Sequence, residues 1–195
     1  MSAVYRLMYL LGFTPWDGVL PDELRDLIEG PNALPPGRAL DLGCGKGGKS
    51  IYMAGHGWQV TGIENVARAL ADARKRAEAA NVAIDFRRGD VTNLSDLSLE
   101  PGYALMLDFG CYHGLRPAQR DAYANGVTAL ASHGATLLMM AFTRAVPPIP
   151  AGVSESELMA RFGPSWEMAW SHPDRAAGTS AMRRAAAGWF CLTRH

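Results

Sequence analysis

The chain contains 195 residues, of which 48% are hydrophobic and 19% are charged, proportions typical of a globular protein with one substantial core. Its 19 basic and 19 acidic side chains cancel, which argues against nucleic acid or a membrane surface as a partner. The three cysteines include no Cys-x-x-Cys pair, so the sequence predicts neither a disulfide framework nor a metal site. We therefore expect a single domain over residues 1–195, located in the cytoplasm.

The elements predicted for the first part of the chain alternate between helices and strands. Residues 1–20 favour an amphipathic helix, and no segment reaches the ~18–20 apolar residues that span a bilayer. Apolar or β-branched runs predict five strands, at 38–43, 58–64, 83–90, 103–110 and 135–143. Helices are predicted between them, at 47–57, at 66–80 with Asn65 as the cap, and at 117–132. Such alternation predicts an α/β fold, a parallel sheet with helices on both faces.

The C-terminal part of the chain follows a different pattern. Residues 144–153 are proline-rich, and residues 153–158, VSESEL, contain a capping box and a hydrophobic staple that begin a helix ending near residue 162. Residues 165–172 and 187–195 then favour two strands that pair as a hairpin at the edge of the sheet. The expected sheet is therefore seven-stranded and mostly parallel, with a C-terminal antiparallel hairpin.

Residues 41–50 read DLGCGKGGKS and fit three ligand-binding patterns. Residues 43–50 fit the phosphate loop of nucleotide kinases and ATPases, and residues 43–48 fit the dinucleotide fingerprint. Residues 41–45 have the Asp-x-Gly-x-Gly form found where S-adenosylmethionine (SAM) binds. The patterns predict phosphoryl, hydride and methyl transfer respectively. Lys46 and Lys49, the two lysines of this stretch, are expected to be solvated residues at the start of a helix.

Acidic residues at successive strand ends distinguish these ligands. Asp41, Glu64, Asp90 and Asp108 are expected to surround one crevice, because ligands bind at the carboxyl ends of parallel strands. A nucleoside triphosphate brings a charge of about −4, and repulsion in a partly dry cleft costs on the order of several kcal/mol. SAM is a net cation and would be attracted there. The dinucleotide alternative shares Glu64 but leaves the other acids unexplained.

The spacing suggests a task for each part of the SAM site. Glu64 lies 21 residues after Gly43, where an acid accepts hydrogen bonds from both ribose hydroxyls. Asp90 is placed to accept from the adenine amino group, with Val91 against the ring, and Asp41 to lie near the methionyl amino group. The other predicted cofactor contacts lie in or beside the turns: Gly43, Cys44, Gly45, Gly47, Asn65, Asp108 and Phe109.

Three stretches resemble the successive motifs of class I SAM-dependent methyltransferases: ALDLGCGKGGKSIYMAGHGWQVTGIE, FRRGDVTNL and LMLDFGCYHGL. They are most similar to the thiopurine, thiol, halide and tellurite branch, whose Pro-Trp-Asp and Asp-x-Gly-Cys-x-His-Gly-Leu motifs are matched at 15–17 and 108–115. The resemblance implies a Rossmann-like fold, release of S-adenosylhomocysteine (SAH), and a small-molecule S- or O-nucleophile as acceptor, aromatic, heterocyclic or thiol, in a detoxification-type reaction. Phe109 stands where the branch often has arginine, so its substrates do not transfer directly.

The motifs also suggest residues for the transfer step. His113 follows the fourth strand, where acceptor and methyl should meet, and is the candidate general base. Tyr112 is the candidate acceptor contact, and Trp16 is expected to cover the methionyl cation. A structural role is the alternative for each. Residues 1–20 are expected to act as a lid and residues 144–186 to wall the acceptor site.

Other possibilities remain open from sequence. One is a P-loop nucleotide kinase or ATPase, and another is a SAM-binding protein without catalysis. The oligomeric state is expected to be monomer or homodimer.

Overall fold

The computed structural model describes residues 17–145, 151–174 and 186–195. The strands of these ranges form one seven-stranded sheet in the order β3-β2-β1-β4-β5-β7-β6. Their bounds are β1 Arg38–Leu42, β2 Gln59–Glu64, β3 Asp85–Arg88, β4 Tyr103–Phe109, β5 Ala131–Phe142, β6 Trp166–Pro173 and β7 Ala187–Arg194. Strands β1 to β5 are parallel, and β7 runs antiparallel to both β5 and β6. The predicted seven-stranded sheet with its C-terminal hairpin is confirmed.

Helices cover both faces of this sheet. The described helices are α1 Asp22–Glu29, α2 Gly48–Gly55, α3 Ala67–Ala79, α4 Pro117–Leu130 and α5 Glu155–Phe162, with short 3-10 turns at Leu94–Leu97 and Tyr112–Gly114. Within β4, Leu105 and Leu107 pack with α1 and α2, whereas Met106 packs with α4 and α5. The strands read as continuous apolar runs because both of their faces are buried. None of the described helices has the length and apolar character to cross a membrane.

Two predicted element boundaries are corrected by the structure. Asn65 does not cap α3; the backbone N–H of Val66 donates to the Glu64 carboxylate at 2.7 Å, and the Asn65 amide donates to Asp90 at 3.3 Å. Helix α4 ends at Leu130, and β5 begins at Ala131 rather than at residue 135. The strand starts early because Ala131 pairs with Tyr103, before a register shift in the β4–β5 ladder.

The helix predicted after the proline-rich loop is present with its expected cap. The hydroxyl of Ser154 accepts from the Glu157 N–H at 3.2 Å. Val153 and Leu158, the two staple residues, are 1% and 0% exposed. This helix packs beside α4 and β6, so it lies on the face of the sheet opposite α2.

Candidate cofactor and acceptor site

The glycine turn after β1 has a backbone conformation that residues other than glycine adopt only with strain. Gly43 and Gly47 have φ angles of +79° and +77°, in the left-handed region that favours glycine. A Cβ on Gly43 would also lie 3.0 Å from the Cβ of Cys111, and one on Gly47 would lie 3.0 Å from Phe86. The N–H groups of Gly43 and Cys44 both donate to the Ile63 carbonyl, which holds the turn against the end of β2.

Glu64 is fastened to this turn. It is 2% exposed, and its two carboxylate oxygens accept from the N–H groups of Gly45 at 3.1 Å and Val66 at 2.7 Å. Burial raises the pKa of the Glu64 carboxyl, and these two hydrogen bonds oppose the rise. Because an ionised carboxylate has about four lone-pair sites, acceptor capacity remains for the ribose hydroxyls that the sequence assigns to it.

Asp90 and Asn65 lie beside Glu64 at the ends of β2 and β3. One Asp90 oxygen accepts from the N–H and the hydroxyl of Thr92, at 3.0 and 2.8 Å, and the other accepts from the Asn65 amide. Burial favours a raised pKa for Asp90, but these hydrogen bonds outweigh it and hold the pKa below its usual value. Asp90 is therefore ionised and partly exposed, whereas Val91 beside it is buried.

Asp41 lies beneath the glycine turn, as expected, but its carboxylate is engaged within the protein. It is 2% exposed and accepts from the Ser50 hydroxyl at 2.5 Å, which ties β1 to α2. Burial raises its pKa, with Ser50 and Lys49 opposing the rise. The Asp41 side chain is therefore not part of an open rim.

Asp108 contradicts the prediction of an open ring of acids more directly. It is fully buried, and it accepts from the N–H groups of Cys111 at 2.7 Å and Tyr112 at 3.0 Å and from the Tyr123 hydroxyl at 2.7 Å. Burial raises the pKa of Asp108 to about 6. The four strand-end acids thus do not surround one mouth: Glu64 and Asp90 remain beside the turn, while Asp108 organises the loop after β4.

His113 is not placed to act as the general base. It is 2% exposed, its ring packs on Phe142 with centroids 4.4 Å apart, and its Nδ1 accepts from the Phe142 N–H at 3.3 Å. Burial, with a further contribution from the Arg120 charge, lowers the pKa of His113 to about 3. Since Nδ1 is the acceptor, the ring is neutral with its proton on Nε2, and it has little affinity for a second proton.

Tyr112 is also buried rather than open to an acceptor. It is 0% exposed, its hydroxyl donates to Glu157 at 2.9 Å, and its ring packs on Tyr123 at 5.1 Å. The ring also receives the Arg120 guanidinium, 4.8 Å from its centroid. Tyr112 thus links the loop after β4 to α5, and its contact with an acceptor stays a prediction.

The Arg120 side chain completes a buried network that sequence reasoning missed. It pairs with Glu157 at 3.0 Å and donates to the carbonyls of Ala151 at 3.0 Å and Gly152 at 3.4 Å. The start of the described segment 151–174 is thereby fixed to α4. The sequence alone predicts that an arginine in the first turn of a helix is solvated, and only its partner on α5 reveals the role of Arg120. The remainder of the predicted wall, 146–150 and 175–185, is outside the described residues.

Lys49 and Phe109 form a second feature that the sequence did not predict. The ammonium of Lys49 lies 3.8 Å from the centroid of the Phe109 ring, and that ring lies 5.8 Å from the ring of Trp189. Burial lowers the pKa of Lys49 to about 8, with Asp41 and Asp17 opposing the fall. Lys49 is therefore not the solvated residue that was expected. The only sequence signal was its place in a phosphate-loop pattern.

The N-terminal motif is described in part. Trp16 lies outside the described residues, so its predicted contact with the methionyl group stays a prediction. Asp17 forms two hydrogen bonds with the Arg76 guanidinium, at 2.8 and 2.9 Å, and an ion pair with Lys46 at 3.4 Å. Asp17 therefore links the start of the described segment to α3, through Arg76, and to the glycine turn, through Lys46.

The described residues include no group of three or more His, Cys, Asp or Glu side chains arranged to hold a metal ion.

Comparison with known proteins agrees with this fold. A family model described as "Methyltransferase domain" matches residues 39–134, from β1 into β5. The chain is 27% identical over 158 residues to a "2-heptyl-1-hydroxyquinolin-4(1H)-one methyltransferase" of Mycobacteroides abscessus, covering 78% of this chain and 68% of the relative.

Two solved structures share the fold over nearly the whole chain. One, described as "Conversion of a Disulfide Bond into a Thioacetal Group during Echinomycin Biosynthesis", has a TM-score of 0.77 and 23% identity, with 100% of this chain and 93% of the other covered. The other is TehB from Haemophilus influenzae, with a TM-score of 0.75, 17% identity, and 97% and 66% covered. The family match selects methyl transfer among the three patterns of the glycine turn. Residues 39–134 match the methyltransferase-domain family model, and the chain has a Rossmann-like methyltransferase fold, which supports S-adenosylmethionine as the cofactor.

Proposed function

We propose that this protein transfers the methyl group of SAM to a sulfur or oxygen nucleophile on a small acceptor, aromatic, heterocyclic or thiol, and releases SAH. The observation that carries the proposal is the attachment of Glu64 to the Gly45 backbone at the end of β2. Together with Asp90 and Asn65, this carboxylate provides acceptors for a ribose and an adenine beside a glycine turn. The name of the Mycobacteroides relative, a hydroxyquinolone methyltransferase, supports an aromatic acceptor.

The transfer is an in-line displacement for which the donor is already activated. The nucleophile forms a bond to the methyl carbon while the sulfonium S–C bond breaks, and the electron pair stays on sulfur, giving neutral SAH. The protein's main task is to align the three atoms, and orientation of this kind supplies about 7–11 kcal/mol. Asp41, Glu64 and Asp90 also favour a cationic donor over an anionic one by charge alone.

The motifs around Asp17 and Asp108, and the TehB fold, support a place near the thiol, thiopurine and tellurite methyltransferases and a detoxification-type role. Phe109 in place of arginine argues for an acceptor different from theirs. The free cysteines and balanced charge support a single cytoplasmic domain, monomeric or homodimeric, that acts on a small molecule rather than nucleic acid.

Calorimetry with SAH tests the cofactor site. We expect the wild-type protein to bind SAH and Glu64→Ala to weaken binding by about 1–3 kcal/mol, because the ribose loses charge-assisted hydrogen bonds. Glu78→Ala, which removes an exposed carboxylate from α3, is the matched control and should bind SAH as the wild type does. An unchanged affinity in Glu64→Ala would contradict the role of Glu64, and absence of binding at millimolar SAH would contradict the function.

An acceptor screen tests the reaction. The wild-type protein is incubated with SAM and a panel of thiols, phenols and heterocycles, and SAH release is measured. We expect methylation of at least one aromatic member. Binding of SAH with no methylated product would instead favour a SAM-binding protein without catalysis, and a rise in melting temperature with Mg-ATP but not with SAH would favour the phosphate-loop alternative.

A further inference from the structure

The Lys49 ammonium is unusual in having an aromatic face as its neighbour rather than a carboxylate. It lies 3.8 Å from the Phe109 centroid, at the carboxyl end of β4. Throughout the described ranges, its side chain forms no hydrogen bond and no ion pair within 4.0 Å. The neighbouring Lys46, by contrast, is paired with Asp17. Lys49 is therefore a cation whose donors are left unused by the described residues.

This arrangement costs stability, which argues for a role in binding. An ammonium removed from water without hydrogen-bonding partners is unfavourable, and a ring face replaces only part of its hydration. The acids that act on it are Asp41 on β1 and Asp17 before α1, and both are engaged with other groups. Phe109 from β4 and, behind it, Trp189 from β7 contribute no charge. An anionic ligand would supply the missing partner.

The position of Lys49 points to the acceptor rather than to the donor. The donor is a net cation, and the groups beside the glycine turn that suit it are Glu64 and Asp90. The Lys49 ammonium instead lies over the ring of Phe109, which is the last residue of β4 and lies near the hairpin strand β7. Phe109 is partly exposed, so a planar ring can lie against it.

The burial of His113 and the hydrogen bond that its Nδ1 accepts argue against this residue as a base for the acceptor. His113 is buried, and its Nδ1 is already occupied by the Phe142 N–H. Lys49 has a pKa of about 8, within the range in which a lysine both takes up and carries a proton near neutrality.

We propose that Lys49 is a catalytic residue that pairs with the ionised oxygen or sulfur of the methyl acceptor, whose ring lies on Phe109; this rests on the function proposed above. An acceptor that arrives protonated gives its proton to the neutral amine of Lys49. The resulting anion attacks the methyl carbon, the sulfonium S–C bond breaks, and its electron pair stays on sulfur. The methylated acceptor is neutral, so it no longer pairs with the ammonium of Lys49, and this loss favours product release. The ammonium then returns its proton to solvent.

The test uses 4-nitrophenol and 4-nitrothiophenol, whose anions absorb visible light, with four proteins: wild type, Lys49→Met, Lys49→Arg and Lys75→Met. Lys75 is exposed on α3, so its variant matches the loss of charge elsewhere. Three quantities are measured for each protein: SAH affinity, the pKa of bound 4-nitrophenol from its absorbance in the presence of SAH, and kcat/KM for methylation across pH.

We expect the wild type to lower the pKa of bound 4-nitrophenol. Lys49→Met should lose that shift and reduce kcat/KM by about 10- to 100-fold with unchanged SAH affinity, because a charge-assisted hydrogen bond is lost. Lys49→Arg should retain the shift, since it keeps the charge, and Lys75→Met should match the wild type. Melting temperatures of all four proteins exclude unfolding as the cause.

Three outcomes overturn the inference while leaving the methyltransferase function intact, provided that the wild type binds SAH. In the first, Lys49→Met keeps the 4-nitrophenol pKa shift, and in the second the wild type binds neither nitro compound at millimolar concentration. In the third, Lys49→Met weakens SAH binding as much as it weakens methylation, which would assign Lys49 to the methionyl carboxylate. Failure of the wild type to bind SAH would instead refute the proposed function itself.

Discussion

The energetic cost of burying Lys49 gives a prediction about folding that does not depend on finding the acceptor. Replacing Lys49 by methionine keeps an unbranched apolar stem that packs on Phe109 and removes the ammonium. We expect this variant to be more stable than the wild type at neutral pH. Most substitutions destabilise a protein, so a gain would indicate that the lysine is retained for function rather than for stability.

The size of the gain follows from the pKa of Lys49. The pKa falls from 10.5 to about 8 when the protein folds, because burial disfavours the charged form more than Asp41 and Asp17 favour it. At about 1.36 kcal/mol for each pH unit between the two values, the upper limit is about 3 kcal/mol. Lys49 is not completely enclosed, so we expect about 1–3 kcal/mol.

The pH dependence of the gain has a defined direction. Below pH 8 the lysine is charged in both states, and the whole cost is present. Between pH 8 and 10.5 the unfolded chain holds a proton that the folded protein has lost, so wild-type stability rises with pH through this group. Lys49→Met lacks this rise, and its advantage should shrink as the pH increases.

Urea unfolding at pH 7 and at pH 10, with Lys75→Met as the control, measures the effect. Cysteine ionisation in the unfolded chain affects all the proteins equally and cancels in the difference between them. The control should resemble the wild type at both values, because Lys75 is exposed. The reasoning fails if Lys49→Met is less stable than the wild type at pH 7, or if the difference is the same at both pH values.

Two further predictions concern residues whose roles the structure changed or revealed. His113→Asn keeps an acceptor for the Phe142 N–H, so kcat/KM should change only a few-fold and the wild-type pH profile should show no titration near the ordinary histidine pKa; a profile limb near pH 6.5 that vanishes in the variant would restore His113 as the base. Asp17→Asn removes the pairing with Arg76 and Lys46 and should cost about 0.5–1 kcal/mol in urea unfolding. The Arg76 and Lys46 hydrogen bonds outweigh burial and lower the pKa of Asp17, so its contribution is present above pH 3.8 and is lost as the pH falls below it. Asp85→Asn, from an exposed pair with Arg87, is the control, and equal losses in the two variants would contradict a special role for Asp17.

The sequence by itself determined the seven-stranded, mostly parallel sheet with its antiparallel hairpin, and the glycine turn. Alternating apolar and helical runs predict parallel strands because each strand must be buried on both faces, and the hairpin followed from two late β-type runs. The left-handed angles at Gly43 and Gly47 are likewise local, since residues with a Cβ are strained there. The spacing from Gly43 to Glu64 was readable for the same reason: it is set by one helix and one strand.

Only the tertiary structure decided where the side chains at the strand ends point. Asp108 lies at the end of β4 as the sequence predicts, but its carboxylate is buried in the core, where it accepts a hydrogen bond from Tyr123 on a later helix. His113 is neutral because burial lowers its pKa, and the N–H of Phe142, 29 residues away, donates to its Nδ1. The sequence predicts a solvated Lys49, but in the fold the Phe109 ring at the end of β4 lies beneath its ammonium. Strand register fixes which residues reach the rim, whereas the charge state of each depends on burial and on partners distant in sequence, which no local pattern encodes.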